Sequence, residues 1–295
     1  MTQPLARPLG PAALAGVGAG TVFRVRRPAV IFSVLFLLAA VIVGSMVGPA
    51  DLSPLAIVLE LVDLLPAVSV DSGLSERQSV IFLQWRLPRV VLGGLVGASL
   101  SLAGAAYQGV FRNPLVAPFS LGVVAGAGLG ATVAIAFGLR AGIGPLNSVA
   151  LLAFIGALVA VTLTSALGAR AGRSSAILLL AGVAVSSFLT AIQTFLMQRR
   201  SETLREVYAW ILGRVSTSGW GDVWLLAPYV GLCGGILFVH RRHLDVLRLG
   251  EDEAHALGIG VGRVRWIVLV AASLLTAAAV AVSGMIAFVG LASWG

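Results

Sequence analysis

The chain of 295 residues is too apolar for a water-soluble domain: 58% of its residues are hydrophobic, 11% are charged, and its mean hydropathy is +1.01. A soluble domain of this length would have to expose large apolar patches to water. The composition therefore predicts an all-α fold, a polytopic membrane bundle. Its net charge of +8 comes from arginine, because the sequence contains no lysine.

Seven stretches are apolar and long enough to cross a bilayer, which takes a helix of about 20 residues. They are 29–48, 88–110, 115–137, 149–168, 175–197, 222–240 and 266–290. Residues 1–28 are predicted to form a tail before the first span. The arginines that end this tail resemble the start of a secretion signal, but the apolar run after them is too long and has no convincing cleavage site.

The distribution of arginine predicts the orientation of the spans. With the N-terminus in the cytosol, the cytosolic segments carry twelve arginines and four acidic residues, and the outer segments carry eight of each. Basic residues concentrate on the cytosolic side of membrane proteins, so this orientation is favoured. Topology therefore explains the basic composition, and no nucleic-acid partner is expected.

Two features that the sequence lacks exclude common ways of driving transport. Without lysine the chain cannot form a G-x-x-x-x-G-K-[ST] loop, so it does not hydrolyse ATP by that route. Residues 77–201 contain no Asp or Glu, although four predicted spans lie within them. Proton-coupled and sodium-coupled carriers usually place a carboxylate at mid-membrane, so such a carrier is disfavoured.

Histidine indicates no metal site. His240 and His243 could share one helix face, but Arg241 and Arg242 beside them disfavour a bound cation. His255 has no second ligand nearby. No metal or other cofactor bound by this chain is expected.

Glycines recur at four-residue intervals in several spans. Gly93 and Gly97 show this spacing in the second span, and Gly122, Gly126 and Gly130 show it in the third. Small residues at this spacing let helix backbones approach closely, so these glycines are predicted to pack helices together.

A charged segment, residues 248–265, separates the last two spans. Glu251, Asp252 and Glu253 lie where carboxylates stabilise the start of a helix, and Gly258 is typical of a helix end. A short helix outside the bilayer is therefore predicted. The three acidic residues are also the one candidate site for an alternative function, a polytopic enzyme acting on lipid-linked substrates.

Several motifs resemble FecCD-type permeases of ABC importers for ferric siderophores, haem and vitamin B12. They are R-L-P-R at 86–89, Q-G-x-x-x-N-P-L at 108–115, L-G at 121–122, W-I-L-G at 210–213 and G-M-I-A-F-V-G-L at 284–291. The resemblance implies a permease domain over residues 29–291 in the inner membrane. It also implies that the chain pairs with a second permease subunit. The pair would be a homodimer or a heterodimer, and membrane lipid would surround it.

The same resemblance implies two further partners and their contact residues. Arg86 and Arg89 would pair with glutamates of an external substrate-binding protein, although without the resemblance they would be interpreted as anchors at the lipid headgroups. The charged segment would seat in a groove of an ABC ATPase, which would use ATP and Mg²⁺. The expected coupling residues are Leu249, Gly250, Glu251, Glu253, Leu257 and Gly258.

The resemblance also suggests where the cargo crosses. The pathway would lie between two permease subunits along the second span, with Tyr107 and Gln108 at the cytosolic gate and Asn113 and Pro114 turning the chain below it. A ferric siderophore is the expected cargo, and haem and vitamin B12 remain alternatives because the binding protein does most of the selecting.

The end of the chain departs from the family pattern. Family members continue after the Phe-Val-Gly-Leu landmark with three more spans, about ten in total. Here Leu291 is followed by Ala292, Ser293, Trp294 and Gly295 alone. A truncated product or a fragment of a longer reading frame is therefore expected.

Overall fold

The structure, a computed structural model, describes residues 27–46, 52–63, 70–139, 142–143, 146–171 and 175–285. Most of the predicted N-terminal tail and the residues 286–295 lie outside these ranges. The predictions for the end of the last landmark and for residues 292–295 therefore fall outside the described chain.

Helices form nearly all of the described chain, as the composition predicts. They are α1 (Arg27–Met46), α2 (Pro54–Asp63), α3 (Glu76–Val80), α4 (Leu87–Phe111), α5 (Val123–Ala136), α6 (Ser148–Arg170), α7 (Ser175–Arg199), α8 (Leu204–Ile211), α9 (Trp220–Val239), α10 (Arg241–Leu249), α11 (Glu251–Ala256) and α12 (Val261–Ser283). A π-helical segment, Ile81–Arg86, joins α3 to α4. A small antiparallel hairpin, β1 (Gly142–Ile143) and β2 (Leu146–Asn147), precedes α6.

Six of the seven predicted spans correspond to helices long and apolar enough to cross a membrane. The exception is the predicted span 115–137, of which only the 14 residues of α5 are helical. A helix of that length measures about 21 Å, less than the ~30 Å of a bilayer core. The sequence prediction of a full third span was therefore wrong at its start.

The chain before α5 is irregular, and its part from Val116 to Gly122 is mostly buried. Pro114 and Pro118 lack the N–H that a continuous helix would need. Val116 and Leu121 are nevertheless almost fully buried, and the Thr164 hydroxyl donates a 3.0 Å hydrogen bond to the carbonyl oxygen of Leu121. Non-helical backbone is tolerated at membrane depth where it is enclosed by protein and its polar groups are satisfied.

Helix α12 lies at the centre of the bundle. Its sequence is rich in alanine, and almost every residue from Ala271 to Ser283 is buried. It packs against α4, α6 and α9, so it meets apolar neighbours on several sides. A helix that is apolar all round is expected in such an interior position, and small side chains let its neighbours approach. By contrast, α1 is almost wholly exposed and contacts mainly α2 and α4.

The helices α5 and α6 are in backbone contact through glycine. A Cβ added at Gly126 would overlap the carbonyl oxygen of Gly156, and one at Gly130 would overlap that of Leu152. Gly122 precedes α5 with φ +80°, a conformation that other residues rarely adopt. Gly126 and Gly130 therefore lie where close packing was predicted, whereas Gly122 is required by its backbone conformation.

The glycines of the second span behave differently. At Gly93 and Gly97 no neighbouring group lies within 4 Å of an added Cβ. Within the described chain these two residues form an open face of α4, so their packing against another helix stays a prediction.

The two ends of the bundle contain different parts of the chain, and we call them inner and outer after the predicted orientation. At the inner end, α10 lies against the last turns of α4, where an added Cβ at Gly109 would be 3.3 Å from Leu244. At the outer end, the Trp220 indole donates to the Leu83 carbonyl oxygen at 2.9 Å. At the same end, the backbone N–H of Arg214 donates to the carbonyl oxygen of Ser283 at 2.8 Å. Successive loops therefore alternate between the ends, as the predicted topology requires.

Replacement of Gly126 by Leu should destabilise the bundle, because the side chain has no space between α5 and α6. We expect a loss of about 3 kcal/mol in the free energy of unfolding, at the upper end of overpacking effects. Denaturant unfolding of the purified protein in detergent would measure it. Gly93→Leu is the matched control, since its position is open. Equal stability of the two variants would contradict the assigned contact.

Candidate functional site

The chain between α9 and α12, at the inner end, folds as two short helices, α10 and α11, and α11 lies within the charged segment. Helix α10 is strongly amphipathic, and it lies against the end of α4 with Leu247 buried and Leu244 partly buried. Its arginines Arg241, Arg242 and Arg248 are exposed. The predicted sixth span ends at residue 240, and a separate helix over residues 241–249 was not predicted, because its charged residues interrupt the apolar pattern without showing where a new helix begins.

Helix α11 is the short helix that the sequence predicted, and its observed end confirms the role assigned to Gly258. Gly258 has φ +75° and donates to the His255 carbonyl oxygen at 2.9 Å, while Ile259 donates to Ala254 at 3.0 Å. This pair of hydrogen bonds is the Schellman arrangement that closes many helices. Ala254 is fully buried in the same apolar cluster as Leu247, so α11 is anchored to the bundle.

The outward face of α11 presents two of the predicted coupling residues to solvent. Leu257 is 66% exposed and Glu253 is also exposed. The Glu253 carboxylate lies against Gly250, where it occupies the space that a side chain would need. The side chains of Leu249 and Glu251 lie outside the described part of the structure. We call the face formed by Glu253, Leu257 and Gly258 the coupling surface.

Arg86 is turned into the chain rather than toward the outside. Its side chain is 6% exposed, and Nη1 donates to the carbonyl oxygens of Ser45 at 3.0 Å and Met46 at 3.4 Å. These are the last carbonyls of α1, which helical hydrogen bonding leaves without partners and which favour a cation. In this conformation Arg86 holds α1 against α4, and its burial does not support the predicted docking role.

The π-helical segment immediately before Leu87 explains part of this arrangement. Pro88 has no N–H to continue the i→i−4 pattern, and its ring crowds the preceding turn. The turn widens, so Leu87 donates to the carbonyl oxygen of Phe82, five residues back. One-turn π segments inside long helices are frequently found at functional sites.

Arg89 occupies a more accessible position than Arg86. It is half-buried, and its Cζ lies 6.0 Å from the ring centroid of Trp85, a side chain that is 60% exposed. Helices α3 and α4 with the π segment form a continuous helix of 36 residues, about 54 Å long, so its outer part extends beyond a bilayer of ~30 Å. Because Arg86 is buried and Arg89 is only half-buried, Arg89 is the better placed of the two arginines for an external contact.

The two residues predicted for a gate are enclosed in the bundle. Tyr107 is fully buried, and its hydroxyl lies 2.7 Å from the hydroxyl of Ser273 on α12. Gln108 is 4% exposed, and neither side-chain polar atom has a hydrogen-bond partner among the described residues. Neither side chain faces an open surface of the described residues. Tyr107 instead connects α4 to α12.

Asn113 and Pro114 form the turn that the sequence indicates. The Asn113 side-chain oxygen accepts a hydrogen bond from the Leu115 N–H at 2.9 Å. The Val116 N–H donates to the Asn113 carbonyl oxygen at 3.2 Å, and Arg112 enters the turn with φ +50°. Proline at the second position of such a turn is common. This turn redirects the chain into the buried irregular segment before α5.

A cavity beside α7, with a mainly apolar lining that includes several polar side chains, was not predicted from the sequence. It has a volume of about 410 Å³ and lies between α5, α7 and α8. Its polar lining residues on α7 are Ser186, Thr190, Gln193 and Thr194. The Gln193 amide donates to the Thr132 hydroxyl at 3.1 Å, so this side chain is held in place. The sequence did contain a signal. Thr190, Gln193 and Thr194 follow Ser186 by four, seven and eight residues, and residues at these offsets lie on one face of a helix.

Comparison with known proteins gives the family. The sequence model of the FecCD transport family matches residues 29–293. The cobalamin import system permease protein BtuC of Halobacterium salinarum is 41% identical over 226 residues, which cover 76% of this chain and 60% of that protein. The ferric enterobactin transport system permease protein FepG of Escherichia coli is 34% identical over 261 residues, covering 87% of this chain and 76% of that protein.

A solved structure also resembles this chain. It is described as an inward-facing, metal-chelate type ABC transporter, with a TM-score of 0.73 and 29% sequence identity, covering 90% of this chain and 79% of that chain. The chain spans about 60% of the length of the first relatives that it matches. The match over residues 29–293 and the identity to curated permeases confirm the resemblance seen in the motifs: the chain is a multi-pass membrane protein that belongs to the FecCD transport family.

Proposed function

We propose that this chain is the permease subunit of an ATP-driven importer of metal chelates, with a ferric siderophore as cargo. The observation that carries the proposal is its family match, which extends over nearly the whole chain. Cobalamin is the second candidate cargo, because a cobalamin import permease is 41% identical. The other cargo considered from the motifs, haem, is a third arm of the test below.

The proposal places energy conversion in another subunit. The chain has no lysine for a phosphate-binding loop. A pair of ABC ATPases would use ATP and Mg²⁺, and an external binding protein would deliver the cargo to a dimer of permease subunits. The N-terminus would lie in the cytosol and the spans in the inner membrane, which the arginine distribution supports.

The packing of α10 and α11 explains how such an ATPase could move the bundle. Both short helices are anchored by buried residues, Leu247 and Ala254, in a cluster that includes residues of α4 and α12. Movement of the coupling surface would therefore displace the two helices at the centre of the chain. Closure of the ATPase pair would tilt the bundles and alternate access between the two sides.

Replacement of Leu257 by Ala should weaken binding of the ATPase about tenfold, because it removes an exposed apolar side chain from the coupling surface. Copurification and titration with the ATPase in detergent would measure this. The matched control is Leu212→Ala, an exposed leucine at the outer end (84%). Both variants should unfold like the parent chain. An equal effect of the two, or none, would remove α11 from the contact.

The outer end supports docking of a binding protein through Arg89. Arginine pairs well with carboxylates, and an outer positive charge accelerates encounter with an acidic partner. We assign Arg86 to the fold instead, because its guanidinium is buried on the carbonyls of α1.

The variants Arg86→Gln and Arg89→Gln should separate these roles. Loss of the charged hydrogen bonds of Arg86 should lower the free energy of unfolding by about 2 kcal/mol. Arg89→Gln should leave stability unchanged and weaken the binding protein about tenfold. Unfolding in detergent and binding-protein titration would measure the two effects. The opposite pattern would return docking to Arg86.

The cavity beside α7 supports a cargo pathway along this helix. Its volume is within the range of small-molecule sites, and hydroxyl and amide groups of α7 contribute to its mainly apolar lining. Thr190 and Thr194 are exposed, so they are available to a moving molecule, whereas Tyr107 and Gln108 are not.

Uptake should test both the cargo and this pathway. A deletion strain complemented with this chain should accumulate labelled ferric siderophore in preference to haem and cobalamin, in a manner that depends on the ATPase. Thr190→Trp should reduce uptake at least tenfold by filling the pathway. Tyr107→Phe should retain uptake and lose about 1 kcal/mol of stability with its hydrogen bond.

Each arm has an outcome that would contradict the proposal. Preferential uptake of cobalamin would replace the siderophore with the second candidate. Loss of uptake in Tyr107→Phe, with uptake kept in Thr190→Trp, would return the gate to α4. Cargo accumulation without any ATPase would overturn the importer itself.

A further inference from the structure

A groove opens at the inner end between α4, α9 and α10. Its volume is about 210 Å³. Its walls are apolar and include Leu102 and Ala105 from α4 and Leu237 and Phe238 from α9. Phe238 is 62% exposed and Leu102 is 38% exposed, so the groove is open at the surface of the described chain.

Charged side chains of α10 line the mouth of the groove. Arg241, Asp245 and Arg248 all contribute to it. Their spacing of four and then three residues places them on one face of the helix. The Arg241 guanidinium lies over the Phe238 ring, with Cζ 3.8 Å from the centroid, so its position is set by the wall of the groove. The mouth carries one net positive charge.

The apolar wall of the groove fits within one leaflet of a bilayer. On α4 the lining residues run from Leu102 to Gly109, which corresponds to about 10 Å along the helix. Half of a bilayer core is about 15 Å. The mouth would lie at the level of the headgroups on the inner side, where α9 ends and α10 begins.

We propose that this groove binds an anionic phospholipid, with the phosphate between Arg241 and Arg248 and one acyl chain along Leu102, Ala105 and Phe238. Charge complementarity supports an anionic headgroup, since basic pockets between helices at the cytosolic side bind such lipids. The Asp245 carboxylate disfavours a second negative charge. It can accept a hydrogen bond from a headgroup hydroxyl, so the site favours phosphatidylglycerol.

The bound lipid would brace α10 against α4 and α9. This site is distinct from the coupling surface, which lies on α11, and from the cavity beside α7. It does not depend on transport, so it can be tested without cargo or ATPase.

The full chain, purified in detergent and supplied with phosphatidylglycerol or phosphatidylcholine, should retain the former selectively in native mass spectrometry. Arg241→Gln and Arg248→Gln should each lower retention of phosphatidylglycerol about fivefold, the effect of one arginine near an anionic lipid. The matched control Arg242→Gln removes the same charge from the same helix outside the groove, and it should retain the lipid.

A second pair of variants tests the groove without changing charge. Ala105→Trp should fill the groove and lower retention of phosphatidylglycerol, whereas Ala98→Trp, on an exposed part of α4 outside it, should not. Inorganic phosphate should not displace the lipid, because the acyl chain contributes to binding. Equal retention of both lipids, equal effects of Arg241→Gln and Arg242→Gln, or an Ala105→Trp chain that retains the lipid would overturn the proposal. Failure to retain any lipid would indicate that a protein segment fills the groove, and it would also overturn the proposal.

Discussion

The packing of α12 against α4 connects the two ends of this protein, and the other elements are arranged around it. In lipid the hydrophobic effect contributes little to the association of helices. The helices must therefore be held together by close packing of small side chains and by internal hydrogen bonds. The alanine-rich stretch of α12 provides the first, and the hydrogen bond between Tyr107 and Ser273 provides the second. Because α10 and α11 lie on this pair at the inner end, the proposed motor contact acts directly on the centre of the bundle.

Buried polar groups show how strongly the apolar surroundings constrain the rest of the fold. An unsatisfied polar group costs several kcal/mol in lipid, so irregular backbone must find partners inside the protein. The Thr164 hydroxyl satisfies Leu121 before the short helix α5, and Arg86 satisfies the last carbonyls of α1. Gln108 is the contrasting case, since its side chain has no hydrogen-bond partner among the described residues. Arg86 shows that a residue within a family motif can have a structural role, because it satisfies buried backbone groups.

The same distinction explains where sequence reasoning succeeded at the candidate sites. The helix from Glu251 and its end at Gly258 could be predicted because capping depends on neighbouring residues alone. The burial of Arg86 could not, because its partners belong to a helix 40 residues earlier in the chain. The glycine spacings predicted contact equally for Gly97 and Gly126, yet only Gly126 meets another backbone. A periodic pattern identifies a face of a helix, but not the neighbour that covers it.

The amino-acid sequence by itself determined that this is a membrane protein and that its chain crosses the membrane repeatedly. It also determined the family to which the chain belongs. The lipid solvent dictates an apolar composition and the length of each span, and a motif is a sequence of neighbouring residues. These properties can therefore be read without the tertiary structure. Only the tertiary structure decided that the third span begins with buried irregular backbone, that Tyr107 is enclosed, and that polar side chains of α7 line a cavity. Those properties arise from which helices meet, and packing between distant segments has no signature in the local pattern of either one.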